Sequence, residues 1–335
     1  MHLAIRADGG PTIGYGHLVR SGALAEEFLE RGHNVTFATT TPEHVTDVCP
    51  TDVETVTLPK RDDPTPFVAW LETETPDVVF TDAYPVDTDY QREIREQVPL
   101  AVLQDDARHA VCADLFVNGN LNASSLEYDY VDSKPKTCLG TRYVLLRREI
   151  RDLASQNPPW RENPEQALIT MGGSDTANLT PTVVRSFDGL DLRVDAIVGP
   201  GFTENQEQEI RDAGANVSAD VRVARDPENL PERMFQADFA VSTASSTTYE
   251  LLALGTPFVT FAVVDNQEQI AASLQEYDIA TVLGWRADDE KIKNAIKTYS
   301  SNTTLRREHR ERGRNLVDGN GTERIANKMV NLGRG

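Results

Sequence analysis

The sequence predicts an α/β protein built from two parallel-sheet domains of similar size that face each other. Three observations carry this. Short β-rich runs alternate with helical patterns along most of the chain. The alternation breaks in a polar, proline-bearing stretch and then restarts. The length, 335 residues, exceeds the roughly 250–300 residues that one hydrophobic core usually serves. Such alternation implies parallel strands covered by helices on both faces.

Leu3–Ala7 reads as a strand and His17–Arg31 as a helix, with Leu18, Ala25 and Leu29 near one face and Gly32 at the end. Asn34–Thr39, Val53–Leu58, Asp77–Thr81, Leu100–Leu103 and Leu115–Val117 follow as strands, with helix-like Pro66–Leu71 and Asp89–Glu96 among them. Asn122–Pro135 lacks periodicity, and Leu153–Glu165 contains Asn157-Pro158-Pro159 and Pro164, so the join falls near 143–165. Strand Ala167–Met171 restarts the series. Thr176–Phe187 is helical, with Pro181 a complication if the helix starts early. Strand Leu192–Val198, helix Glu204–Ala213, strand Ala237–Ser242, helix Thr247–Leu254, strand Phe258–Val263 and helix Gln267–Tyr277 continue it. Residues 287–332 read as two or three terminal helices. The domains are therefore expected at 1–145 and 160–335.

Composition narrows the function. Hydrophobic content of 39% and a mean hydropathy of -0.43 fit a soluble globular chain, and no apolar run reaches the roughly 18 residues of a membrane span. Met1–Gly10 carries Arg6 and Asp8 in a strand-like pattern, so it does not read as a signal peptide. Cys49, Cys112 and Cys138 are odd in number, far apart and form no CxxC pair, so a reducing cytoplasm is expected and a structural zinc site is not. Asp and Glu total 53 against 33 Lys and Arg, a net charge of -20, and only seven of the bases are lysine. A uniformly acidic, lysine-poor surface suits a salt-rich cytoplasm, where screening relieves self-repulsion. It argues against nucleic acid as a partner, which needs a basic face. No long heptad or exposed apolar helix is evident, so a monomer is expected.

Residues 13–17 read IGYGH at a strand-to-helix junction. In a parallel sheet, ligands sit at the carboxyl ends of strands, so the loop after Leu3–Ala7 lies at a site. Gly14 and Gly16 permit positive φ and close backbone approach. His17 falls in the first helical turn, where the dipole disfavours a charged ring, so a neutral imidazole able to accept a proton is expected. The plain alternative is a capping histidine on a tight turn. A dinucleotide fingerprint is absent, because Val19 stands where GxGxxG needs its third glycine.

A second turn, Met171-Gly172-Gly173-Ser174-Asp175, ends the first strand of the second domain. A third stretch, Thr243-Ala244-Ser245-Ser246-Thr247-Thr248, precedes a helix carrying Glu250. Glycine amides, hydroxyls and helix N-termini can grip a diphosphate without metal, and Glu250 is placed to accept from ribose hydroxyls. Simple N-capping is the alternative for the Ser/Thr run. Asp87-Thr88-Asp89 matches a metal-carrying DxD pattern but is expected to cap a helix. Asp105-Asp106 could bind sugar or pair with Arg108, and the sequence leaves both open. No P-loop and no GxSxG serine signature occur. No metal and no cofactor are expected.

IGYGH with Arg20, TDAY at 81–84, QDDAR at 104–108, VNGN at 117–120, YVLLRREI at 143–150, MGGSDTANLT at 171–180, STASSTTYELL at 242–252 and DNQEQ at 265–269 occur in the order seen in PseG-type proteins. The chain resembles these UDP-sugar hydrolases of pseudaminic acid biosynthesis over about residues 1–285, and with them SpsG-type spore-coat proteins and, more remotely, MurG-type glycosyltransferases. The resemblance implies a GT-B arrangement: two Rossmann-like parallel-sheet domains facing across a cleft. The first would carry the catalytic histidine and the second UDP. It implies metal-independent, inverting hydrolysis of UDP-2,4-diacetamido-2,4,6-trideoxy-β-L-altropyranose to UDP and free sugar. By this match His17 is the base, with Tyr84 and Asn266 beside it. Gly14, Gly16, Arg20, Gly172, Gly173, Ser174, Asn178, Ser245, Ser246, Thr247, Glu250 and Gln267 would bind the substrate or its nucleotide. QDDAR departs from the family's DDE-like sequence, and Gly199-Pro200-Gly201 matches none of its motifs. The rival implied by the scaffold is a UDP-sugar glycosyltransferase of surface glycan or glycoprotein assembly; a non-catalytic nucleotide-sugar binder is a third reading.

Overall fold

The computed structural model describes residues 1–285 and 287–334, with the side chain of Asn266 outside the described residues. The chain divides into two compact units, Met1–Arg148 together with the segment from Gly319 onward, and Glu149–Asp318.

In the first unit β1 (His2–Ala7) runs through a glycine loop into α1 (Gly16–Glu30). Then come β2 (Asn34–Thr39), α2 (Pro42–Val48), β3 (Glu54–Thr57), α3 (Thr65–Glu74), β4 (Val78–Asp82), α4 (Thr88–Arg95), β5 (Leu100–Leu103), β6 (Leu115–Asn118) and β7 (Lys136–Leu139). Among the described residues these strands form one parallel sheet in the order β3-β2-β1-β4-β5-β6-β7. The pleat sends Leu3 and Ile5 into a core with Leu18, Leu24 and Phe28 of α1. It sends Ala4 to the opposite face, with Phe67 and Leu71 of α3 and Ile94 of α4. Burial on both faces is why the inner strands are nearly continuous apolar runs.

The second unit holds α5 (Arg148–Ala154), which begins at its boundary, then β8 (Gln166–Thr170), α6 (Thr180–Arg185), β9 (Arg193–Val198), α7 (Glu204–Ala215), β10 (Asp220–Arg225), α8 (Leu230–Gln236), β11 (Phe239–Thr243), α9 (Thr247–Leu254), β12 (Phe258–Ala262), α10 (Glu268–Glu276), β13 (Thr281–Trp285), α11 (Asp289–Ser301) and α12 (Thr303–Leu316). Its parallel sheet runs β10-β9-β8-β11-β12-β13. The expected join is laced to α12. Arg306, Arg310 and Arg314, one turn apart, donate to the carbonyls of Glu162 at 2.6 Å, Pro159 at 2.6 Å and Ala154 at 2.9 Å.

Two differences from the sequence reading have physical causes. α6 starts at Thr180 rather than Thr176, with Pro181 in its first turn and the Asp175 carboxylate accepting the N–H groups of Leu179 at 3.0 Å and Thr180 at 2.7 Å. The last helix, α13 (Gly321–Leu332), was expected with the second domain, but Ile325, Ala326 and Met329 complete the first unit's core. Thr322 pins it there: its Oγ1 accepts from Leu146 N and donates to Leu146 O, both at 2.9 Å. Among the described residues no helix is long and apolar enough to cross a membrane.

Candidate active site

Strand order reverses between β1 and β4 in the first sheet and between β8 and β11 in the second. The crevice outside the carboxyl ends at such a reversal is where parallel sheets take ligands. The loop after β1 closes on itself there: Gly14 N donates to Gly10 O at 2.8 Å and Gly10 N to Gly14 O at 3.3 Å. Gly14 takes a φ of 95°, the left-handed region that glycine enters at no steric cost. The same freedom was expected of Gly16, which instead opens α1 without positive φ. One residue on, in the first turn, stands His17, 7% exposed.

β4 ends at Asp82, buried, whose Oδ1 lies 2.7 Å from His17 Nδ1. The Arg20 NH2 lies 3.1 Å from the same nitrogen, but the nearer group is a carboxylate that only accepts, so the proton of a neutral ring sits on Nδ1 and Nε2 presents its lone pair. Arg20, one turn along α1, holds Asp82 from the other side with Nε to Oδ2 and NH2 to Oδ1, each at 2.6 Å. Its remaining donors reach Asp105, NH1 to Oδ1 at 2.8 Å and NH2 to Oδ2 at 2.9 Å. Burial by itself would raise the Asp82 carboxyl, but Arg20 and then His17 hold it at about 2. Asp105 is also lowered, burial being outweighed by Arg20. The Arg20 guanidinium is raised well above its usual value, because its two carboxylates overcome burial.

The Tyr84 ring stands edge-on to His17, centroids 4.7 Å apart, under the Arg108 guanidinium at 4.2 Å, and its hydroxyl donates to Asp105 at 3.4 Å. Asn120 Nδ2 donates to Asp105 Oδ1 at 3.1 Å. IGYGH with Arg20, TDAY, QDDAR and VNGN thus converge on one network at the ends of β1, β4, β5 and β6. The two aspartates left open by the sequence divide: Asp105 takes Arg20, and Asp106 takes Arg108 at 2.9 Å. Asp82 was missed as the partner of His17. Its signal was a carboxylate closing a strand that neighbours β1. Asp87 accepts the N–H groups of Asp89 and Tyr90 and caps α4, the expected capping role of the DxD stretch.

In the second sheet, β8 gives way to Gly172 with a φ of 81°, and a side chain placed there would lie 3.8 Å from Ser245 Oγ. Gly199, just past β9, supports this turn: a Cβ on it would start 2.6 Å from Gly172 O and 2.7 Å from Gly173 O. Gly201 N donates to Gly173 O at 2.8 Å. This accounts for the glycine segment that matched no motif. Ser245 Oγ is buried with no hydrogen-bond partner among the described residues, and no side chain caps α9 behind it. Ser174, Ser246 and Thr247 are half-buried at the same strand ends, and Glu250 is buried in the first turn of α9. The amides of α6, by contrast, serve Asp175 and are not part of the cradle. Asn178 is exposed, at a φ of 49°, and donates to Glu209 at 2.6 Å. Gln267 Oε1 accepts from Val263 N at 2.9 Å. The Asn266 side chain lies outside the described residues.

No family model matches the chain. It is similar to an uncharacterized protein of Methanocaldococcus jannaschii, 26% identical over 77% of this chain and 55% of that protein, so it spans about half the length of that relative. It is 25% identical to the UDP-2,4-diacetamido-2,4,6-trideoxy-beta-L-altropyranose hydrolase of Campylobacter jejuni over 82% of this chain and 96% of that one. It is 22% identical to the spore coat polysaccharide biosynthesis protein SpsG of Bacillus subtilis over 99% and 98%. Among solved structures, Acinetobacter baumannii MurG matches 98% of this chain and 99% of its own with a TM-score of 0.68 at 15% identity. A Staphylococcus aureus MnaA–UDP co-structure matches 99% and 97% with a TM-score of 0.65 at 14% identity. The two parallel-sheet units have the GT-B fold.

Proposed function

We propose that the chain is a UDP-sugar hydrolase that cleaves a UDP-linked diacetamido-trideoxy sugar, with His17 as its general base. The carrying observation is the His17–Asp82 pair at the reversal of the first sheet, Nδ1 to Oδ1 at 2.7 Å, which leaves Nε2 to take a proton. A water oxygen bonds to the anomeric carbon as the bond from that carbon to the diphosphate oxygen breaks. The bonding pair leaves on UDP, and the water proton passes to His17 Nε2. Attack opposite the leaving group inverts the anomeric centre. The Gly173 amide, the Ser245 hydroxyl and the uncapped start of α9 offer donors to the diphosphate as its charge grows. Glu250 is assigned to the ribose hydroxyls. The named activity of the Campylobacter jejuni relative and the UDP in a structure of the same fold support this reading.

One observation favours a second reading: the same Asp-held histidine would activate an acceptor hydroxyl as readily as water, and glycosyltransferases share the fold. Incubating the enzyme with UDP-2,4-diacetamido-2,4,6-trideoxy-β-L-altropyranose and no acceptor separates them. The hydrolase reading expects linear UDP release and free sugar of inverted anomeric configuration by NMR. Release that begins only when an acceptor is supplied would establish the transferase instead.

A further inference from the structure

The sequence expectation for Arg20 was contact with substrate, yet its guanidinium donates four bonds of 2.6–2.9 Å to Asp82 and Asp105. Asp105 is itself held by Asn120 at 3.1 Å and Tyr84 at 3.4 Å. We infer that Arg20 and Asp105 are positioning residues that set the charge balance around His17, so that its cluster passes from one net negative charge to neutrality when the ring takes a proton. This rests on the reading of His17 as the base.

The count follows from the groups that face the ring. α1 contributes Arg20. β4 and the loop beyond it contribute Asp82 and Tyr84. The segment after β5 contributes Asp105, the mutually neutralising Asp106–Arg108 pair, and His109, whose Nε2 lies 3.3 Å from Tyr84 O. With the ring neutral, Asp82, Asp105 and Arg20 sum to one negative charge. Proton uptake cancels it inside a site largely closed to water, where an uncompensated charge is costly. Without Asp105, Arg20 would cancel Asp82 and leave the imidazolium unbalanced. Without Arg20, the buried Asp82 and the half-buried Asp105 carboxylates would repel and compete for protons. The guanidinium fork also fixes both oxygens of Asp82, and through them the plane of the His17 ring.

The test is a pH titration of the His17 ring Cε1–H signal by NMR in the full chain without substrate, the signal assigned by its loss in His17→Gln. Asp105→Asn removes one negative charge and should move the midpoint down by about one pH unit. Adding Arg20→Met to Asp105→Asn restores the charge sum, and the midpoint should return toward the wild-type value, which a merely structural role would not produce. If the asparagine variant fails to fold by circular dichroism, Asp105→Ser replaces it in both arms. A single variant within about 0.2 unit of wild type, or a double variant no closer to wild type than the single, overturns the inference. Because no turnover is read, failure here leaves the hydrolase reading standing. Conversely, the expected ordering without UDP release from any UDP-sugar would remove that reading and keep the charge cluster.

Discussion

At the reversal of the first sheet, β1 and β4 lead into charged side chains: a histidine, two aspartates and an arginine in one hydrogen-bonded cluster. At the reversal of the second, β8 and β11 lead into glycines and hydroxyls that carry no formal charge, with Ser245 Oγ buried and unpartnered among the described residues. One strand order therefore builds two kinds of crevice, and the topology decides only where the strand ends meet. Charged groups can be buried together only when each satisfies the next, so the first crevice is rigid and holds a proton acceptor at a fixed angle. Backbone amides need no counter-charge and cost little reorganisation. In a chain of net charge -20, an anion is better received by such dipoles than by a few lysines among many carboxylates.

The contrast breaks first at His17. Replacing His17 with alanine should lower turnover by about 10²- to 10⁴-fold, the usual loss for a positioned base, as read by UDP release under substrate saturation. Turnover within about threefold of wild type would make His17 a helix-start residue and nothing more.

Gly199→Ala probes the other crevice. The new Cβ would press on Gly172 O and Gly173 O, and overpacking of this kind costs about 1–3 kcal/mol. The UDP dissociation constant should rise about tenfold, while turnover at saturation changes far less. A variant that binds UDP normally but turns over slowly would place the glycine turn in the chemistry and erase the distinction.

Acid is the mildest probe. The Asp82 carboxyl is held at about 2, and so is Asp8 at the end of β1, where Arg6 and then Thr40 outweigh burial. Folded-state values below the unfolded ones mean stability that is present above pH ~4 and lost as pH falls toward ~2. Each carboxyl contributes roughly 2 kcal/mol over that window. Urea unfolding between pH 5 and pH 2.5 should show the decline, and Asp8→Asn should flatten its share of it. An unchanged slope in that variant would mean that the Asp8 carboxyl titrates alike in the folded and unfolded states.

Much of this arrangement was legible from residues alone. The inner strands β1, β2, β4, β5, β6, β8, β9, β11 and β12 announced themselves because burial on both faces demands apolar runs. β7, β10 and β13 did not. Each lies at a sheet edge: β10 alternates valine with charged residues, and β13 bends at Gly284, whose φ is 78°. α13 was visible as a helix, but an amphipathic terminal helix does not say which core it completes; Thr322 and Gly321, against the Val144–Leu146 segment, decide that. Among site residues, His17 and the glycine turns could be read from spacing at strand ends. The Arg20–Asp82–Asp105 cluster could not, because Asp82 and Asp105 lie 62 and 85 residues from Arg20 and only the sheet order sets β4 beside β1 and β5 beside β4. Asn178 and Gln267 carry family-like positions, yet their side chains bond to Glu209 and Val263 within the unit.

Calorimetric titration of UDP into His17→Ala tests the division of labour most directly. The expected result is a dissociation constant within about twofold of wild type, because the ring supplies a proton acceptor and no grip on the nucleotide. A constant weakened by about tenfold or more, equivalent to ~1.4 kcal/mol of lost binding, would make His17 part of the cradle and contradict it.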